Sequence, residues 1–264
     1  MSVRPEEIAR QVYRLETGHG LTEANVYLVG SRSGWVLIDT AWAGRAPDIQ
    51  AAAASLFGPG SRPEAILLTH IHPDHSGAAP ALAAAWHVFV HVHPEELRFA
   101  PGRYLPEYAH PLDRRVIAPL LRLVPRRRLE AMRAGNSLEG AVVGYEPDEG
   151  VPGLTGWTCV PTPGHTPGHV AFLRSADGVL ISGDAVVTVE LNSPRGFLRP
   201  RLSGPPRYTT WDWDRARRSV EELVEWQPRL LAPGHGRPAS ALGGRGLRDL
   251  ARRMRRLSLT RGPR

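Results

Sequence analysis

Four potential metal ligands lie close together in one short segment of the sequence. They are His70, His72, Asp74 and His75, and they follow an apolar stretch, Ala65–Leu68, that predicts a buried strand. Imidazole and carboxylate groups are ligands for divalent metals such as zinc. A polar loop with exposed or hydrogen-bonded histidines is the alternative, and the density of ligand-type residues at a strand end argues against it.

The spacing of these four residues predicts two metal ions. His70 and His72 are two positions apart, which places both side chains on one side of an extended segment. Asp74 and His75 follow where the chain turns into a helix. A catalytic zinc usually takes three protein ligands, so four are too many for one ion that must also hold water. We therefore expect the two earlier histidines on one ion and the later pair on another.

Three later segments repeat one pattern, in which a predicted strand is followed by a glycine and then by a ligand-type residue. These segments carry His165, Asp184 and His235. The prolines and glycines around His165 predict a rigid loop of the kind that a preorganised ligand requires. Each segment alone is weak evidence, because His and Asp in such loops often serve only the turn. Together they supply the further ligands that two ions need.

The order of these motifs resembles that of the metallo-β-lactamase superfamily, in particular its dinuclear hydrolases such as glyoxalase II-like thioesterases and lactonases. The resemblance runs from about Ala24 to His235. The family motif H-x-H-x-D-H, its Gly-His-Thr-Pro-Gly-His segment, its Gly-Asp pair and its late Gly-His pair match this sequence in that order at His70, His72, Asp74, His75, His165, Asp184 and His235.

The resemblance implies a fold and a ligand set. The fold is α/β, a four-layer αββα sandwich with the metals at one edge. The first ion would be held by His70, His72 and His165, and the second by Asp74, His75 and His235, with Asp184 bridging the two. Asp39 would support the site from behind the ligands, and His169 would be structural. Two divalent ions are implied; zinc is the expected metal, and iron and manganese accept the same ligands.

The expected chemistry is hydrolysis of a small-molecule ester, lactone or thioester. Two ions lower the pKa of a bridging water, so that hydroxide attacks the substrate near neutral pH. Asp74 is the catalytic candidate, because its carboxylate can pass a proton to the leaving group. The presence of Asp184 argues against lactams, and the absence of lysine argues against glutathione thioesters. Val187 stands where homoserine-lactone hydrolases have tyrosine, and Tyr208 is interpreted as a surface aromatic.

Other functions remain as alternatives. A nuclease or phosphodiesterase of the same superfamily would use the same ligands, and the basic C-terminal tail would suit it. A single-iron sulfur dioxygenase would need fewer ligands than the sequence offers. A metal-bearing binding protein without activity is the non-enzymatic alternative, and the intact ligand set disfavours it.

Alternating short apolar runs and turns predict a single domain, residues 1–264, with two facing sheets. The predicted strands are Gln11–Leu15, Asn25–Val29, Trp35–Asp39, Ala65–Leu68, His87–Val92, Gly156–Pro161, His169–Leu173, Val179–Ser182 and Arg229–Leu231. The predicted helices are Pro47–Leu56, Gly77–Ala85, one from Asp212 or Asp214 to Glu225, and Arg245–Leu259. Residues 191–207 are predicted to form a loop.

For two segments the sequence leaves alternative roles open. Residues 95–135 predict a helical insertion, which either covers the active site or serves as an oligomer contact or stabilising element. Residues 245–264 form an Arg-rich helix and tail that carries the whole formal net charge of +7. We interpret this tail as a solvated terminal helix rather than as a segment that binds nucleic acid or an acidic partner electrostatically.

The composition limits the structural class of the protein and its expected location in the cell. One cysteine, Cys159, excludes an intramolecular disulfide and a Cys-rich zinc finger. No apolar run reaches the roughly 18 residues that a membrane span needs. The first residues lack the apolar stretch of a secretory signal. We therefore expect a cytoplasmic protein that acts on a small molecule, without membrane or nucleic-acid partners; the sequence leaves its oligomeric state open.

Overall fold

Two β-sheets face each other, and helices cover their outer faces. The computed structural model describes residues 4–110, 137–193, 199–240 and 243–259, with short pieces between 115 and 135. The first sheet has seven strands in chain order: β1 (Glu6–Ala9), β2 (Val12–Thr17), β3 (Ala24–Gly30), β4 (Trp35–Ile38), β5 (Ile66–Leu67), β6 (Val90–Val92) and β7 (Val142–Gly144). It begins as an antiparallel meander and continues from β4 to β7 with parallel pairs.

The second sheet has five strands in the order β14-β13-β10-β9-β8, and a two-stranded ribbon pairs β11 with β12. These strands are β8 (Trp157–Pro161), β9 (Val170–Arg174), β10 (Val179–Gly183), β11 (Val187–Val189), β12 (Pro200–Ser203), β13 (Leu230–Pro233) and β14 (Ala239–Ser240). The central pair, β10 and β13, is parallel, so both strands end at the same edge of the sheet.

The helices complete four layers. They are α1 (Ala46–Phe57), α2 (Pro73–Ser76), α3 (Ala79–Trp86), α4 (Trp213–Glu225) and α5 (Gly243–Leu259). Buried side chains of α1 and α3 belong to one apolar cluster with the first sheet, and those of α4 and α5 belong to another with the second sheet. A third cluster joins the inner faces of the two sheets. The αββα sandwich expected from the sequence is thereby confirmed.

Strand β3 shows how the sequence builds these layers. The side chains of Val26 and Leu28 lie on the face of the first sheet that packs against helices. Those of Tyr27 and Val29 lie on the opposite face, between the two sheets. Successive side chains of a strand point to opposite faces, so a strand covered on both faces is apolar throughout. Cys159 lies in the middle layer as a buried free thiol, as its apolar surroundings in the sequence predict.

Several element predictions need correction. Strands β1, β7, β11 and β14 were not predicted, because they are short and carry no clear alternation. The strand β12 lies inside residues 191–207, which were predicted to be a loop. The strand predicted from His87 begins at Val90, since His87 ends α3 in a left-handed conformation with φ 55°. At α4 the cap is Asp212, whose carboxylate accepts from the N–H groups of Asp214 and Arg215.

The predicted insertion is only partly described. Pro94–Phe99 and Pro106–Tyr108 are 3-10 turns, and most of residues 111–136 lie outside the described part of the chain, so the helical insertion and its role stay predictions. The last tail residues, 260–264, also lie outside it. Within the described ranges, no helix combines the length and apolarity that crossing a bilayer requires.

Candidate metal centre

The seven ligand-type residues meet at one edge of the sandwich, where strands of both sheets end. His70 comes shortly after β5, Asp184 directly follows β10, and His235 comes shortly after β13. The carboxyl ends of neighbouring parallel strands open at the same edge, which brings residues far apart in sequence together. Side chains of these three residues and of the four others form three overlapping groups of potential ligand atoms.

Three histidines form the first group. The Nε2 atom of His70 lies 3.1 Å from Nδ1 of His72, which in turn lies 3.0 Å from Nε2 of His165. Burial lowers the pKa of each of these histidines, and neighbouring histidines lower those of His70 and His165 further. Each neutral imidazole has a nitrogen lone pair that can bind a metal ion. Because three such lone pairs repel one another at this distance, the arrangement favours a bound cation between them.

A carboxylate and two histidines form the second group. Oδ2 of Asp74 lies 3.3 Å from Nε2 of His235, and the potential ligand atoms of Asp74, His75 and His235 all lie within 4.8 Å of one another. Asp74 and His75 belong to α2, the short helix that begins right after His72. The tight turn into this helix is what directs the two halves of the histidine-rich segment to different groups.

Asp184 lies between the two groups. Its Oδ2 atom is 3.3 Å from Nε2 of His165, and its Oδ1 atom is 3.3 Å from Nε2 of His75 and 3.4 Å from Nε2 of His235. Oδ1 of Asp184 and Nε2 of His75 are buried, and although they lie 3.3 Å apart, neither makes a well-directed hydrogen bond in the described part of the chain. Buried polar atoms left without a partner are costly. The donor set and these two orphaned atoms fit a pair of divalent ions.

Glycines allow this close packing. A Cβ on Gly234 would lie 2.4 Å from Oδ1 of Asp184, and a Cβ on Gly183 would lie 2.8 Å from Nε2 of His169. Gly183 also has a positive φ of 49°. The glycines before Asp184 and His235 are therefore needed for space, and Gly183 also for its backbone conformation.

The outer ring nitrogens of four histidines are occupied, which turns their Nε2 atoms inward. The partners are Thr69 Oγ1 for His70 (3.1 Å), Asp39 Oδ2 for His75 (2.8 Å), Thr210 Oγ1 for His165 (3.2 Å) and the Glu23 carbonyl for His235 (2.6 Å). Such contacts fix the ring orientation and tautomer of metal-binding histidines.

Asp39 lies behind the second group, the position that the resemblance implies. Its Oδ1 atom accepts the Thr69 N–H at 2.8 Å, while its Oδ2 atom faces His75. Asp39 thus fixes the position of Thr69, just before the histidine-rich segment, and the orientation of the His75 ring within that segment. Asp39 itself follows β4 with a positive φ of 60°.

His169 holds Asp184 in place rather than joining either group. Its Nε2 atom accepts the Asp184 backbone N–H at 3.1 Å, and its Nδ1 atom faces Thr162 Oγ1 at 2.7 Å. Burial lowers the pKa of His169 to about 3, so the ring stays neutral. A neutral ring with Nε2 as acceptor is what the Asp184 N–H requires, which agrees with the structural role expected for this residue.

The second group has the opposite electrostatic character to the first. Burial alone would lower the pKa of His75, but three facing carboxylates, Asp184 foremost, raise it well above its usual value. Burial is likewise outweighed at His235, whose pKa rises to about 10 beside Asp184 and Asp74. Burial favours neutral carboxyl groups, yet the nearby histidines hold the pKa values of Asp74 and Asp184 low.

Glu96 is a site residue that sequence reasoning missed. Its buried carboxylate accepts the Ile71 N–H through Oε2 and the Gly168 N–H through Oε1, each at 2.8 Å. Burial raises the pKa of Glu96, and these donors oppose the rise. One side chain therefore ties the segment with His70 and His72 to the loop that carries His165.

Replacing Glu96 with alanine is expected to lower the free energy of unfolding by about 3 kcal/mol, because two buried N–H groups lose a charged acceptor. Denaturant titration of the metal-loaded protein measures this change. The control is Glu95→Ala, an exposed neighbour whose carboxylate pairs with Arg98, with an expected effect below about 0.5 kcal/mol. Equal effects of the two substitutions would contradict a clamping role for Glu96.

A cavity of about 280 Å³ opens onto the ligand groups. Asp74, His165 and Asp184 lie in its wall together with Trp42 and Tyr208. Tyr208, interpreted from the sequence as a surface aromatic, is 46% exposed and also lines this cavity. The Trp42 indole N–H is buried without a hydrogen-bond partner among the described residues.

A second cavity, of about 290 Å³, adjoins the first and shares His72, Pro73 and Thr209 with it. Its other walls are largely aromatic and aliphatic, and they include Phe99 and Tyr108. The two cavities together form a groove that begins at the metal-ligand groups and continues along an apolar surface.

Comparison with known proteins places this site in a family. The family model of the metallo-beta-lactamase superfamily matches residues 19–235. The probable metallo-hydrolase YflN of Bacillus subtilis is 36% identical over 245 residues, covering 89% of this chain and 90% of that protein. The uncharacterized protein YobT of the same organism is 28% identical, covering 86% of this chain and 88% of YobT.

Solved structures agree on the fold. The metallo-beta-lactamase family protein TTHA1429 from Thermus thermophilus superposes with a TM-score of 0.65 at 24% identity, covering 96% of this chain and 81% of that one. TTHA1623, solved in a di-iron-bound form, superposes with a TM-score of 0.54 at 27% identity, covering 86% of this chain and 94% of that one. Since the family model spans most of the sequence, this chain belongs to the metallo-β-lactamase superfamily.

Proposed function

We propose that this protein is a dinuclear metal-dependent hydrolase of a small ester, lactone or thioester. The observation that carries the proposal is the position of Asp184, whose two oxygens face two separate groups of potential ligands. The first ion would be held by His70, His72 and His165, the second by Asp74, His75 and His235. Bound there, two divalent ions would lower the pKa of a water molecule and polarise the scissile carbonyl.

Zinc is the metal that we propose. Five histidines and two carboxylates form a nitrogen-rich donor set, which suits zinc and also accepts iron or manganese. The di-iron form of TTHA1623 supports iron as the alternative. Metal analysis of the purified protein decides between them.

The residues around the cavity have separate tasks in the proposed reaction. Asp74 is ionised and lines the cavity, so its carboxylate can take up a proton and release it to the leaving group. His169 and Asp39 keep Asp184 and His75 in position. The apolar groove beyond His72 can accommodate the acyl or alkyl part of an ester.

The charge of the cavity favours this proposal over a nuclease. The ionisable residues described in its wall include the carboxylates of Glu23, Asp74 and Asp184 but no arginine. Apart from the proposed metal ligands, which a nuclease of this superfamily would share, this wall offers a phosphodiester strand no guanidinium group, and nucleic-acid enzymes rely on such cations. The second group, with Asp74, His75 and His235 all present, also exceeds what a single-iron dioxygenase requires.

A substrate panel tests the proposal. Metal-loaded protein is assayed with a thioester, a γ-lactone, an aryl ester, a phosphodiester and a β-lactam, and the same preparation of Asp184→Asn serves as the control for contaminating hydrolases. We expect cleavage of one of the first three classes, lost in the variant. Turnover of the phosphodiester alone would overturn the proposal in favour of the nuclease alternative.

Replacing Tyr208 with phenylalanine is expected to lower kcat about tenfold or more, with little change in KM. Burial, Asp184 and Asp74 all raise the pKa of Tyr208, so its hydroxyl stays protonated and can donate a hydrogen bond to developing negative charge. Steady-state kinetics with the best panel substrate measures the effect. Tyr13→Phe, which removes a hydroxyl far from the cavity, serves as the control, and an unchanged kcat in Tyr208→Phe would exclude this role.

A further inference from the structure

A third cavity, of about 420 Å³, lies on the other side of the chain segment that lines the metal-site cavity. It is formed by the segments around β12 and Arg207 together with α5, and we call it the arginine pocket after four of its lining residues, Arg201, Arg207, Arg253 and Arg256. None of its described lining residues is shared with the cavity at the metal-ligand groups. A ligand in this pocket would therefore be separate from the site of hydrolysis.

The pocket carries excess positive charge. Glu190 is the one acidic residue in its described wall, and its Oε2 atom lies 3.5 Å from Nη1 of Arg201. The described wall thus contains four arginines and one carboxylate. Burial and the neighbouring Arg201 lower the pKa of Arg253, and Asp249 and Glu190 oppose this shift. A concave site with charge of one sign attracts counter-ions more strongly than a flat surface does.

The arginines are held in defined positions. Nη2 of Arg253 donates to the Leu202 carbonyl at 2.7 Å, and the Arg207 guanidinium lies 4.5 Å from the ring centre of Trp213. The Arg207 backbone N–H donates to Oδ1 of Asn192 at 2.7 Å, which fixes the segment that carries it. The Trp213 indole N–H is buried without a hydrogen-bond partner among the described residues.

We propose that the arginine pocket binds a small phosphate monoester of the size of a nucleoside monophosphate. Guanidinium groups pair with phosphate oxygens through two parallel hydrogen bonds, and this geometry makes arginine the usual residue for such recognition. The volume exceeds what a single inorganic anion fills and lies in the range of small-molecule sites. Arg207 and Trp213 already stack on each other in this wall, so a planar group attached to the phosphate would stack on the outer side of that pair.

The test is calorimetric titration of the metal-loaded, full-length protein with AMP, inorganic phosphate and adenosine. We expect AMP to bind, and adenosine, which lacks the phosphate, to bind at least about tenfold more weakly. Arg201→Ala and Arg256→Ala change exposed side chains of the pocket and should each weaken AMP binding about tenfold. Arg252→Ala, on the same helix but outside the pocket and paired with Asp249, should leave the affinity unchanged.

Other results would overturn the proposal. Equal affinity for AMP and adenosine would mean that phosphate is not recognised. Binding that is unaffected by both pocket substitutions, or conversion of AMP to adenosine, would place the ligand at the metal centre instead. Much tighter binding of an eight-nucleotide single strand, sensitive to Arg201→Ala, would assign the surface to nucleic acid. Absence of AMP binding at millimolar concentration would leave the pocket without the proposed function.

Discussion

Asp184→Asn is expected to lower hydrolysis by more than about a hundredfold and to remove most of the bound metal. Loss of a contact behind a metal ligand already costs about ten- to a hundredfold in affinity or activity, so loss of a charged group that faces both ion sites should cost more. The asparagine side chain keeps one oxygen, but it offers no negative charge to the second ion.

Elemental analysis and kinetics on the same preparation measure both effects. The matched control is Asp177→Asn, which neutralises an exposed aspartate at the opposite end of the β9–β10 hairpin, where it pairs with Arg174. Full metal content and wild-type turnover are expected in the control. Two equivalents of metal and normal turnover in Asp184→Asn would show that the residue does not bridge the two groups.

The convergence of the ligand-type residues was predictable because its causes are local. A strand end followed by glycine and then His or Asp recurs at His165, Asp184 and His235, and neighbouring strands place such ends at one edge. The two-residue spacing of His70 and His72 similarly survives in the structure as adjacent ring nitrogens. That these side chains hold metal stays a prediction, which Asp184→Asn and metal analysis test.

Glu96 and Tyr208 were not predictable, because their positions depend on contacts that are distant in sequence. Glu95 and Glu96 look alike in the sequence, yet one is exposed and the other is buried between Ile71 and Gly168. Nothing local distinguishes them. Tyr208 likewise lies in a Pro- and Arg-rich stretch typical of surface loops, and only the packing of that stretch against the metal-ligand groups turns its ring into a cavity wall.

The secondary structure, too, was predictable from the sequence only where its causes are local. Apolar strands in the sheet centres, such as β3 and β10, were identified, because burial on both faces makes them continuously apolar. The strands that were missed lie at sheet edges or in the β11–β12 ribbon, where pairing rather than composition creates the strand. Edge strands are short and tolerate polar and proline residues, so their sequences resemble loops.

Affinity for the second metal ion is expected to rise at least about tenfold per pH unit between pH 7 and 8.5, whereas that for the first ion changes little. In the metal-free protein the pKa of His235 is about 10, so this ring is protonated at neutral pH, and the facing carboxylates raise the pKa of His75 as well. A proton must leave each ring before its Nε2 atom can bind metal. The raised pKa values therefore weaken metal binding at low pH, and the affinity increases as pH rises.

The first group should behave differently, because burial keeps its three histidines neutral in this pH range. Zinc titration against a competing chelator gives the two affinities, and calorimetry in buffers of different ionisation enthalpy counts the protons released. His93→Gln, outside both groups, should leave the count unchanged, whereas His235→Asn should lower it by about one. If the affinities of the two ions depended equally on pH, the proposed contrast in charge between the groups would be contradicted. Only that contrast makes the second ion compete with protons while the first ion does not.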